Sequence, residues 1–396
     1  MQDRKLRVMF LVGGYPSPEN PSHGIFNQRA AHAISPFVEL TVVQFRLLKP
    51  GRKIIQCIQE KGFVRYILCV PYIPLAQIFF YELNNFIFAF FTHVFTGKLL
   101  KNQDVVHAGD GNTSVFVSSL KKKYRFYLLA QFIGSDLYQE IYSKRNKKWV
   151  SKWLKSLDAV AFNSKALQIY FNDTFNLCSI SQVIYRGVNL SVFKPNSFSV
   201  KGFKFYFIGG LPNYSTFTHG RNTKGGINLM EAWKLLDNNP FYDNLEISLD
   251  FAGPDSDDAM AKNWKDCLRI PSRVRLHGKI NPSDIAEFHR NFNIALIPSL
   301  EEGLPNAAME AAATANLIIA TKVGGIPEVL AHKENALLCD SVTVESLLQN
   351  MEYVLQNPDS IKELGEVAHR TVKKHFDSES FGNKYFDLYN ELVSKN

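Results

Sequence analysis

Short runs of apolar and β-branched residues recur along the chain in the pattern of buried strands. Ten of them stand out, at 6–12, 38–45, 64–70, 126–132, 158–162, 203–209, 247–252, 273–277, 293–298 and 317–321. Stretches with helical periodicity lie between many of these runs, such as 226–237 and 343–356. The alternation predicts an α/β protein with parallel sheets covered by helices on both faces.

The chain is long enough for two domains of similar size. It has 396 residues, of which 46% are hydrophobic, so it can bury a large interior. The strand and helix rhythm restarts near residue 203, and the polar stretch at 194–199 just before it is the best candidate for a linker. We therefore predict one domain over 1–197 and a second over 198–375.

The most apolar and aromatic segment lies at 72–97. Five polar side chains interrupt it: Gln77, Glu82, Asn84, Asn85 and His93. A transmembrane helix is not expected from such a segment. We favour a core helix of the first domain over an interfacial helix that dips into a bilayer surface, although the basic residues around 46–65 are compatible with the second interpretation.

Charge and cysteine content exclude few classes of function. The formal net charge is +8, which is compatible with nucleic acid, an anionic membrane face or phosphate-rich small substrates. No nucleic-acid-binding motif accompanies the basic clusters at 121–123 and 144–148, which we interpret first as solvated faces and second as lipid-phosphate contacts. The five cysteines are scattered and suggest neither a disulfide framework nor a zinc site.

The amino terminus predicts a strand and not a signal peptide. Its apolar run is short and is followed by glycines instead of a small-residue cleavage site. Together with the cysteine pattern, this favours a reducing cytoplasm. Because the chain carries a net positive charge, contact with the inner face of the cell membrane stays an open alternative.

The segment after the ninth apolar run has the composition of an anion-binding turn. A loop containing Gly303 and Pro305 leads into an alanine-rich helix that should begin near Asn306. Helix amino termini at the carboxyl ends of parallel strands offer free amides and a positive dipole end to an anion such as a diphosphate. Glu302 lies in the loop and Glu310 about one turn into the helix, so both can border one cleft without sharing a metal ion.

A second loop of the same construction follows the next strand. In LIIATKVGGIPEVL, a buried strand precedes Gly324 and Gly325, and Pro327 suits the first turn of a helix. Two such loops in adjacent strand and helix units predict one wall of a cleft.

These two segments carry a family resemblance. PSLEEGLPNAAMEA followed by TKVGGIPEVL resembles glycosyltransferase family 4, whose retaining GT-B enzymes carry an E-x7-E element. The resemblance extends to RVMFLVGGYPSPENPSHGIFNQR, FIGSDL, LDAVAFNSKAL, YRGVNLSVFKP and TKGGINLMEAW. It implies two Rossmann-like domains facing a cleft, with acceptor binding in 1–197, nucleotide-sugar binding in 198–375 and a terminal helix at 376–396 that crosses back to the first domain.

The resemblance also implies roles for single residues. Lys224 would neutralise the donor diphosphate, Glu310 would bind the ribose hydroxyls, and Glu302 would hold the donor sugar, so that Glu302 and Lys224 carry the catalysis. The amides of Gly303, Leu304 and Pro305 would assist Glu302, and Asn306 would complete the donor loop. Gly24 would let the backbone approach the phosphate, and Gly134, Ser135 and Asp136 would lie on the acceptor side.

The implied reaction needs no metal and no cofactor. A UDP- or GDP-sugar would donate its sugar with retention to a glycan or lipid-linked acceptor, in the synthesis of a surface polysaccharide or glycolipid at the cytoplasmic membrane face. Positive charge and helix-end amides would stabilise the departing nucleoside diphosphate.

Two positions depart from the family pattern. The arginine that usually precedes the lysine is absent from Gly209-Gly210-Leu211, and Arg221 is a candidate substitute. Ile133 stands where many relatives have histidine, and we consider His107 as compensation, although a histidine that ends a strand is more often structural.

Two other functions stay open. A GT-B sugar-nucleotide epimerase would share the architecture and the donor but transfer nothing. A non-catalytic subunit would bind the sugar nucleotide without changing or transferring the sugar. A dinucleotide-dependent oxidoreductase is disfavoured because no GxGxxG element follows a strand with an acidic residue about twenty positions later.

Overall fold

The computed structural model describes residues 4–73, 81–134, 137, 147–175, 180–195, 201–211 and 222–394. The chain divides into two compact units. Unit 1 comprises Met1–Tyr185 with Glu379–Asn396, and unit 2 comprises Arg186–Ser378. The boundary at Tyr185 precedes the linker that we expected at 194–199.

Unit 1 is built on a sheet of eight strands. They are β1 Arg7–Val12, β2 Glu39–Leu47, β3 Ile55–Glu60, β4 Phe63–Val70, β5 Val105–Ala108, β6 Tyr127–Phe132, β7 Ala159–Phe162 and β8 Ile180–Val183. Their order across the sheet is β3-β4-β2-β1-β5-β6-β7-β8. Because β1 pairs with β2 on one side and β5 on the other, the chain changes direction of growth between β1 and β5.

The edge strand β3 departs from the predicted parallel arrangement. It pairs antiparallel with β4, and the connection is only Lys61-Gly62, with Gly62 at a φ of +91°. So short a connection can join only antiparallel strands. The sequence of β3, IQCIQE, contains no apolar run, and its side chains are half exposed and half only partly buried.

Helices cover both faces of this sheet. Those of unit 1 that precede the second unit are α1 Ile25–Ile34, α2 Tyr81–Leu100, α3 Gly111–Ser118, α4 Lys121–Tyr124, α5 Lys147–Leu154 and α6 Lys165–Thr174. One hydrophobic cluster joins the sheet to α2, α3, α5 and α6, and a second joins it to α1 and the carboxyl-terminal helix.

The long helix α2 packs on the core along one side only. Ala89, Thr92 and Thr96 are buried, whereas Phe86 and Phe90 are 67% and 51% exposed. The core interpretation of 72–97 therefore describes half of the helix surface, and residues 74–80 lie outside the described residues. None of the helices in the described ranges is long and apolar enough to cross a membrane.

Unit 2 has a six-stranded parallel sheet. Its strands are β9 Phe203–Ile208, β10 Ile247–Ala252, β11 Val274–Gly278, β12 Ile294–Ile297, β13 Leu317–Thr321 and β14 Leu337–Cys339. The order is β11-β10-β9-β12-β13-β14, so the change of direction lies between β9 and β12. The helices are α7 Gly226–Asp237, α8 Ala259–Asp266, α9 Ile285–Arg290, α10 Asn306–Ala313, α11 Val344–Gln356 and α12 Asp359–His375.

The last helix, α13 Ser378–Ser394, belongs to the core of unit 1. Tyr385, Leu388 and Tyr389 are fully buried in the cluster that contains β1 and α1. A Cβ atom at Gly382 would lie 2.1 Å from the carbonyl oxygen of Ala33, so glycine permits α13 to cross α1 closely.

Candidate functional site

The candidate site of unit 2 lies where β9 and β12 end. Ligands of open α/β sheets bind at the carboxyl edge, at the point where the strand order reverses. The loop from Pro298 to Pro305 follows β12 at that point and leads into α10, which begins at Asn306 as expected.

The segment that carries Lys224 packs directly on this loop. The amide of Leu300 donates a hydrogen bond of 2.8 Å to the carbonyl oxygen of Thr223. Gly225 has a φ of +73°, and a Cβ atom there would lie 1.7 Å from the carbonyl oxygen of Pro298. Only glycine fits this contact, which fixes Lys224 at the end of β12.

Lys224 and Glu302 form an ion pair. The ammonium group donates to Oε1 of Glu302, which also accepts a hydrogen bond of 3.2 Å from Oγ of Ser299. The side chain of Lys224 is 47% exposed, whereas that of Glu302 is 10% exposed. The two residues to which the sequence assigned different parts of one ligand therefore lie in direct contact, and the lysine is accessible to an anion.

The amino terminus of α10 is free of side-chain caps. Pro305 is its N-cap in an extended conformation, and the side chain of Pro305 accepts no hydrogen bond from the first turn. One expected contact is wrong on chemical grounds: Pro305 has no backbone N–H and cannot donate to a ligand. Gly303 and Leu304 have amides, so the donor groups of the loop come from them and from the first turn of α10.

The second glycine loop lies against the first. A Cβ atom at Gly324 would lie 1.8 Å from the carbonyl oxygen of Glu302, and the amide of Gly325 donates a hydrogen bond of 2.5 Å to the carbonyl oxygen of Gly303. The helix that we expected after Pro327 is only a single 3₁₀ turn, Ile326–Glu328. The two loops nevertheless form one continuous backbone surface.

Glu310 lies on α10 with its side chain at the boundary of the core. It is buried, and its Oε2 atom is 3.5 Å from Nε2 of the fully buried His289. Burial, and to a smaller degree the negative charge of Glu310, raises the pKa of Tyr206 well above its usual range. The carboxylate is thus backed by polar groups from inside the protein.

The sequence did not indicate two contacts of this site. The sequence pattern assigns Ser299 only to a loop and gives His289 no role. The available signal was a histidine between the apolar positions of FHRNFNIALIP, which places it on the buried face of α9.

The predicted residues of unit 1 are described only in part. Gly134 has a φ of +128° at the end of β6. Ser135 and Asp136 lie outside the described residues, as does Arg221 in the other unit, so their expected roles stay predictions.

Gly24 is required by the fold of unit 1. It is the N-cap of α1 with a φ of +67°, and a Cβ atom would lie 2.2 Å from the carbonyl carbon of Gly14. The side chain of Asn27 donates a hydrogen bond of 2.7 Å to the carbonyl oxygen of Gly14. The backbone of Gly24 thus lies close to that of Gly14, and the expected contact with a phosphate stays a prediction.

His107 points into the core of unit 1 and does not line a surface. Its Nδ1 atom is 2.8 Å from the hydroxyl of Tyr389, and its ring stacks on Tyr385 at 4.8 Å. Complete burial lowers its pKa to about 3. A neutral histidine in such surroundings cannot compensate for Ile133, so the structural interpretation is the correct one.

Sequence comparison finds a family match within the second unit. Residues 216–371 match the family Glycosyl transferases group 1. The chain is 26% identical over 160 residues to an uncharacterized glycosyltransferase of Haemophilus influenzae, which is 40% of this chain and 42% of that protein. It is 29% identical over 126 residues to N-acetyl-alpha-D-glucosaminyl L-malate synthase of Bacillus anthracis, which is 32% of each. The chain therefore matches less than half the length of these relatives.

Solved structures with the same fold cover nearly the whole chain. Sucrose-phosphate synthase from Thermosynechococcus elongatus superposes with a TM-score of 0.76 at 17% identity, over 98% of this chain and all of that one. HepE of Anabaena in complex with UDP-glucose gives 0.73 at 15% identity with the same coverage of 98% and 100%. The chain has the GT-B fold, as predicted.

Proposed function

We propose that this chain, whose second unit carries a glycosyl transferases group 1 domain, moves a sugar from a nucleoside-diphosphate sugar to a glycan or lipid-linked acceptor. The observation that carries the proposal is the contact between Lys224 and Glu302 beside the uncapped end of α10. An accessible cation, the amides of Gly303, Leu304 and the first turn of α10, and a shielded carboxylate together suit a diphosphate joined to a sugar.

Each part of the donor has a candidate partner. The diphosphate lies at Lys224 and the first turn of α10, Glu302 and the amides of Gly303 and Leu304 hold the sugar, and Glu310 accepts hydrogen bonds from the ribose hydroxyls. Binding of the phosphates gives Lys224 a second anionic partner besides Glu302. The UDP-glucose complex of HepE, a protein of the same fold, supports a nucleotide sugar as the donor class.

The chemistry then requires no group beyond the chain and its two substrates. The bond between the anomeric carbon and the β-phosphate oxygen breaks, and Lys224 and the helix-end amides stabilise the charge that develops on that oxygen. The acceptor oxygen bonds to the anomeric carbon on the same face. Its proton passes to the departing phosphate oxygen. Attack on the face that the phosphate leaves retains the configuration, as the family resemblance implies, and the proposed reaction uses no metal.

A thermal-shift screen tests the donor site. Saturating UDP, GDP and their sugar derivatives are added to the wild-type chain, because a ligand that binds only the folded state stabilises it by about 2.7 kcal/mol at a hundredfold excess over Kd. We expect a shift that Lys224→Ala abolishes. The matched control is Arg269→Ala, which removes an exposed ion pair with Asp243 at the opposite edge of the same sheet. No shift with any of these compounds would exclude the donor site.

Product analysis separates transfer from its two alternatives. With acceptor present, a glycosyltransferase releases nucleoside diphosphate and forms a glycoside. An epimerase changes the sugar nucleotide with or without acceptor, and a binding subunit changes nothing. Only the first outcome agrees with the proposal.

The acceptor is proposed to be at a membrane surface, where the exposed side of α2 can bind. This α2 face consists of Leu83, Phe86, Phe90 and Val94, all of which are more than 40% exposed. Lys123 of α4 lies 3.0 Å from Nε2 of His93 on α2, so exposed lysines border the apolar stripe. Apolar side chains with adjacent cations are typical of helices that lie in the interface of an anionic bilayer. This surface supports our proposal that the chain works at the inner face of the cell membrane.

Vesicle sedimentation tests the α2 face. The chain should bind vesicles that contain phosphatidylglycerol and not vesicles of phosphatidylcholine alone. Replacing Phe86 and Phe90 by serine should weaken binding roughly tenfold or more, because two large apolar side chains no longer enter the bilayer. Phe241→Ser is the control, since Phe241 is 76% exposed on unit 2. Equal binding by the α2 variant and the control would exclude this surface.

A further inference from the structure

We propose that His289 is a positioning residue, which holds the carboxylate of Glu310 in the orientation that accepts the ribose hydroxyls of the donor. The inference rests on the proposed role of Glu310 and adds a second layer of residues behind it. These residues come from α9, from β9 and from the turn after α10.

The contact between His289 and Glu310 is made inside the protein. His289 is completely buried, and its Nε2 atom faces Oε2 of Glu310 at 3.5 Å. Within the described ranges, this nitrogen forms no shorter polar contact and no hydrogen bond of good geometry. Since a buried N–H group is costly to leave unpaired, the carboxylate is the partner toward which it is directed.

The other ring nitrogen determines which tautomer is present. Nδ1 of His289 lies 2.5 Å from the hydroxyl of Tyr206, and that hydroxyl lies 2.9 Å from Nδ2 of Asn316. Nδ2 also lies 2.9 Å from the carbonyl oxygen of His289, which can only accept a hydrogen bond. The Asn316 amide therefore presents its NH₂ group to both oxygens.

One direction of hydrogen bonding follows through the whole series. Asn316 can donate to the Tyr206 oxygen, and we assign the hydrogen of the Tyr206 hydroxyl to Nδ1 of His289, because the opposite assignment would turn a lone pair of Nε2 toward the carboxylate of Glu310. A neutral imidazole that accepts at Nδ1 carries its proton at Nε2. That proton points at Glu310, and a small movement of the carboxylate completes the hydrogen bond.

The arrangement suits positioning better than a purely structural role. Interior packing alone would be served by an apolar ring, whereas here three polar side chains from separate segments are ordered so that one N–H faces one carboxylate oxygen. Fixing Oε2 of Glu310 fixes the rotation of the whole carboxylate, and rigid carboxylates bind paired hydroxyls with less loss of entropy.

The test is a double-mutant cycle in which one change removes the ribose hydroxyls of the ligand and the other substitutes a residue of the protein. Affinities for UDP and 2′,3′-dideoxy-UDP, or GDP and its dideoxy form, are measured by titration calorimetry with whichever base the wild type binds. The wild type should prefer the ribose form, and Glu310→Ala should remove the preference. His289→Phe keeps the ring but loses the Nε2 proton, so it should lower the preference about fivefold and leave dideoxy binding unchanged.

Two further variants guard against a folding defect. His289→Gln places an amide N–H near the position of Nε2 and should restore most of the preference. Tyr206→Phe removes the hydroxyl that contacts Nδ1 of His289, so the ring proton is no longer held at Nε2. This variant should lower the preference for ribose about twofold. His369→Phe is the matched control, because Nδ1 of His369 contacts the carbonyl oxygen of Ala313 at the far end of α10. It should leave the preference unchanged.

The possible results separate the two levels of the proposal. If Glu310→Ala removes the ribose preference while the His289 and Tyr206 variants retain it in full, positioning by His289 is wrong and the donor site stands. If UDP and GDP bind but the wild type does not distinguish ribose from dideoxyribose, the role of Glu310 is wrong and positioning falls with it. A loss of dideoxy binding equal to the loss of ribose binding would show that His289 supports only the fold.

Discussion

Each unit has a carboxyl edge of its sheet at which the strand order reverses, but the polar groups at these two edges make different contacts. In unit 2, the edge between β9 and β12 exposes the cation of Lys224 beside an uncapped helix. In unit 1, the edge between β1 and β5 carries Asp110, whose carboxylate caps α3 by accepting from the amide of Thr113 at 2.8 Å. The Gly14 carbonyl next to it is already bonded by Asn27. An edge whose polar groups satisfy the fold has less left for a ligand.

The difference is consistent with the proposal that the donor binds at the unit 2 edge. Strand order places both edges equally well for ligand binding. Whether an edge can bind a ligand depends on whether its charged side chains and helix-end amides already form hydrogen bonds within the protein. We therefore expect functional loss without unfolding from substitutions in the unit 2 edge, and unfolding without specific functional loss from substitutions in the unit 1 edge.

The largest effect is expected for Lys224→Ala. Transfer from the sugar nucleotide found in the screen should fall about 10²- to 10³-fold, because one preorganised positive group no longer meets the charge on the leaving phosphate. The side chain of Lys224 is 47% exposed, and Oε1 of Glu302 keeps its hydrogen bond from Ser299, so the loss of unfolding free energy should be about 1 kcal/mol and the melting temperature should change little. Initial rates and thermal unfolding measure the two quantities.

Arg269→Ala is the control for this substitution. It removes an exposed ion pair with Asp243 in the same unit but at the other edge of the sheet, so transfer should stay at the wild-type rate. If Lys224→Ala transferred sugar within twofold of the wild-type rate, the proposal that the unit 2 edge carries the function would be wrong.

The second largest effect is expected for Gly24→Ala in unit 1. A left-handed φ costs an L-residue about 1–2 kcal/mol, and the clash with Gly14 adds to it, so unfolding free energy should fall by about 3 kcal/mol. Gly51→Ala is the matched control, since Gly51 has a φ of +79° but nothing within 4 Å of the added Cβ atom. It should cost only about 1 kcal/mol.

Urea unfolding compares these two glycine variants, and nucleotide affinity is measured on the same samples. A Gly24 variant of normal stability that bound the donor poorly would contradict the structural interpretation. It would instead support the phosphate contact that the family resemblance implies for this loop.

Sequence reasoning recovered the fold wherever a strand had a long apolar run. All ten predicted strands are present, including β9 and β12, which flank the site. The strands that it missed are β5, β8 and β14, with three or four residues each, and the exposed edge strand β3. Such strands resemble loops until neighbouring strands provide their hydrogen-bond partners, whereas β7 and β12, with four residues each, were recovered from the longer apolar runs around them.

The candidate site was predictable to the extent that its parts are local. Glycines and the alanine-rich helix revealed the loop of Glu302, and strand order explains how Lys224, 78 positions earlier, reaches it. The contact of Glu310 with His289 depends on how α9 packs on α10, which no local pattern encodes. Likewise, the burial of His107 required α13 to return to unit 1.

A pH dependence is the third expected effect and concerns the unit 1 core. His107 has a folded pKa of about 3, below the 6.5 expected for an unfolded chain, because burial disfavours the charged ring. The folded state then binds fewer protons, so the stability is complete above pH 6.5 and decreases as the pH falls toward 3. This residue alone should remove about 2 kcal/mol between pH 7 and pH 5.

Urea unfolding at several pH values measures this contribution. His107→Phe should flatten the slope of unfolding free energy below pH 6.5 by up to about 1.4 kcal/mol per pH unit. His375→Gln removes an exposed histidine and should leave the slope unchanged. An unchanged slope in the His107 variant would show that its imidazole becomes protonated within the folded protein.

The smallest effect is expected for Ser299→Ala in the unit 2 edge. Oγ of Ser299 donates to Oε1 of Glu302 at 3.2 Å, and the carboxylate keeps Lys224 as its main partner. Losing one such hydrogen bond should slow transfer about threefold, with a loss of stability below about 1 kcal/mol. Ser360→Ala removes a buried serine hydroxyl that donates to the Asn357 carbonyl, away from Glu302, and should not slow transfer. Equal rates for both variants would mean that Lys224 alone orients Glu302, and the contrast between the two edges would then rest on a single ion pair.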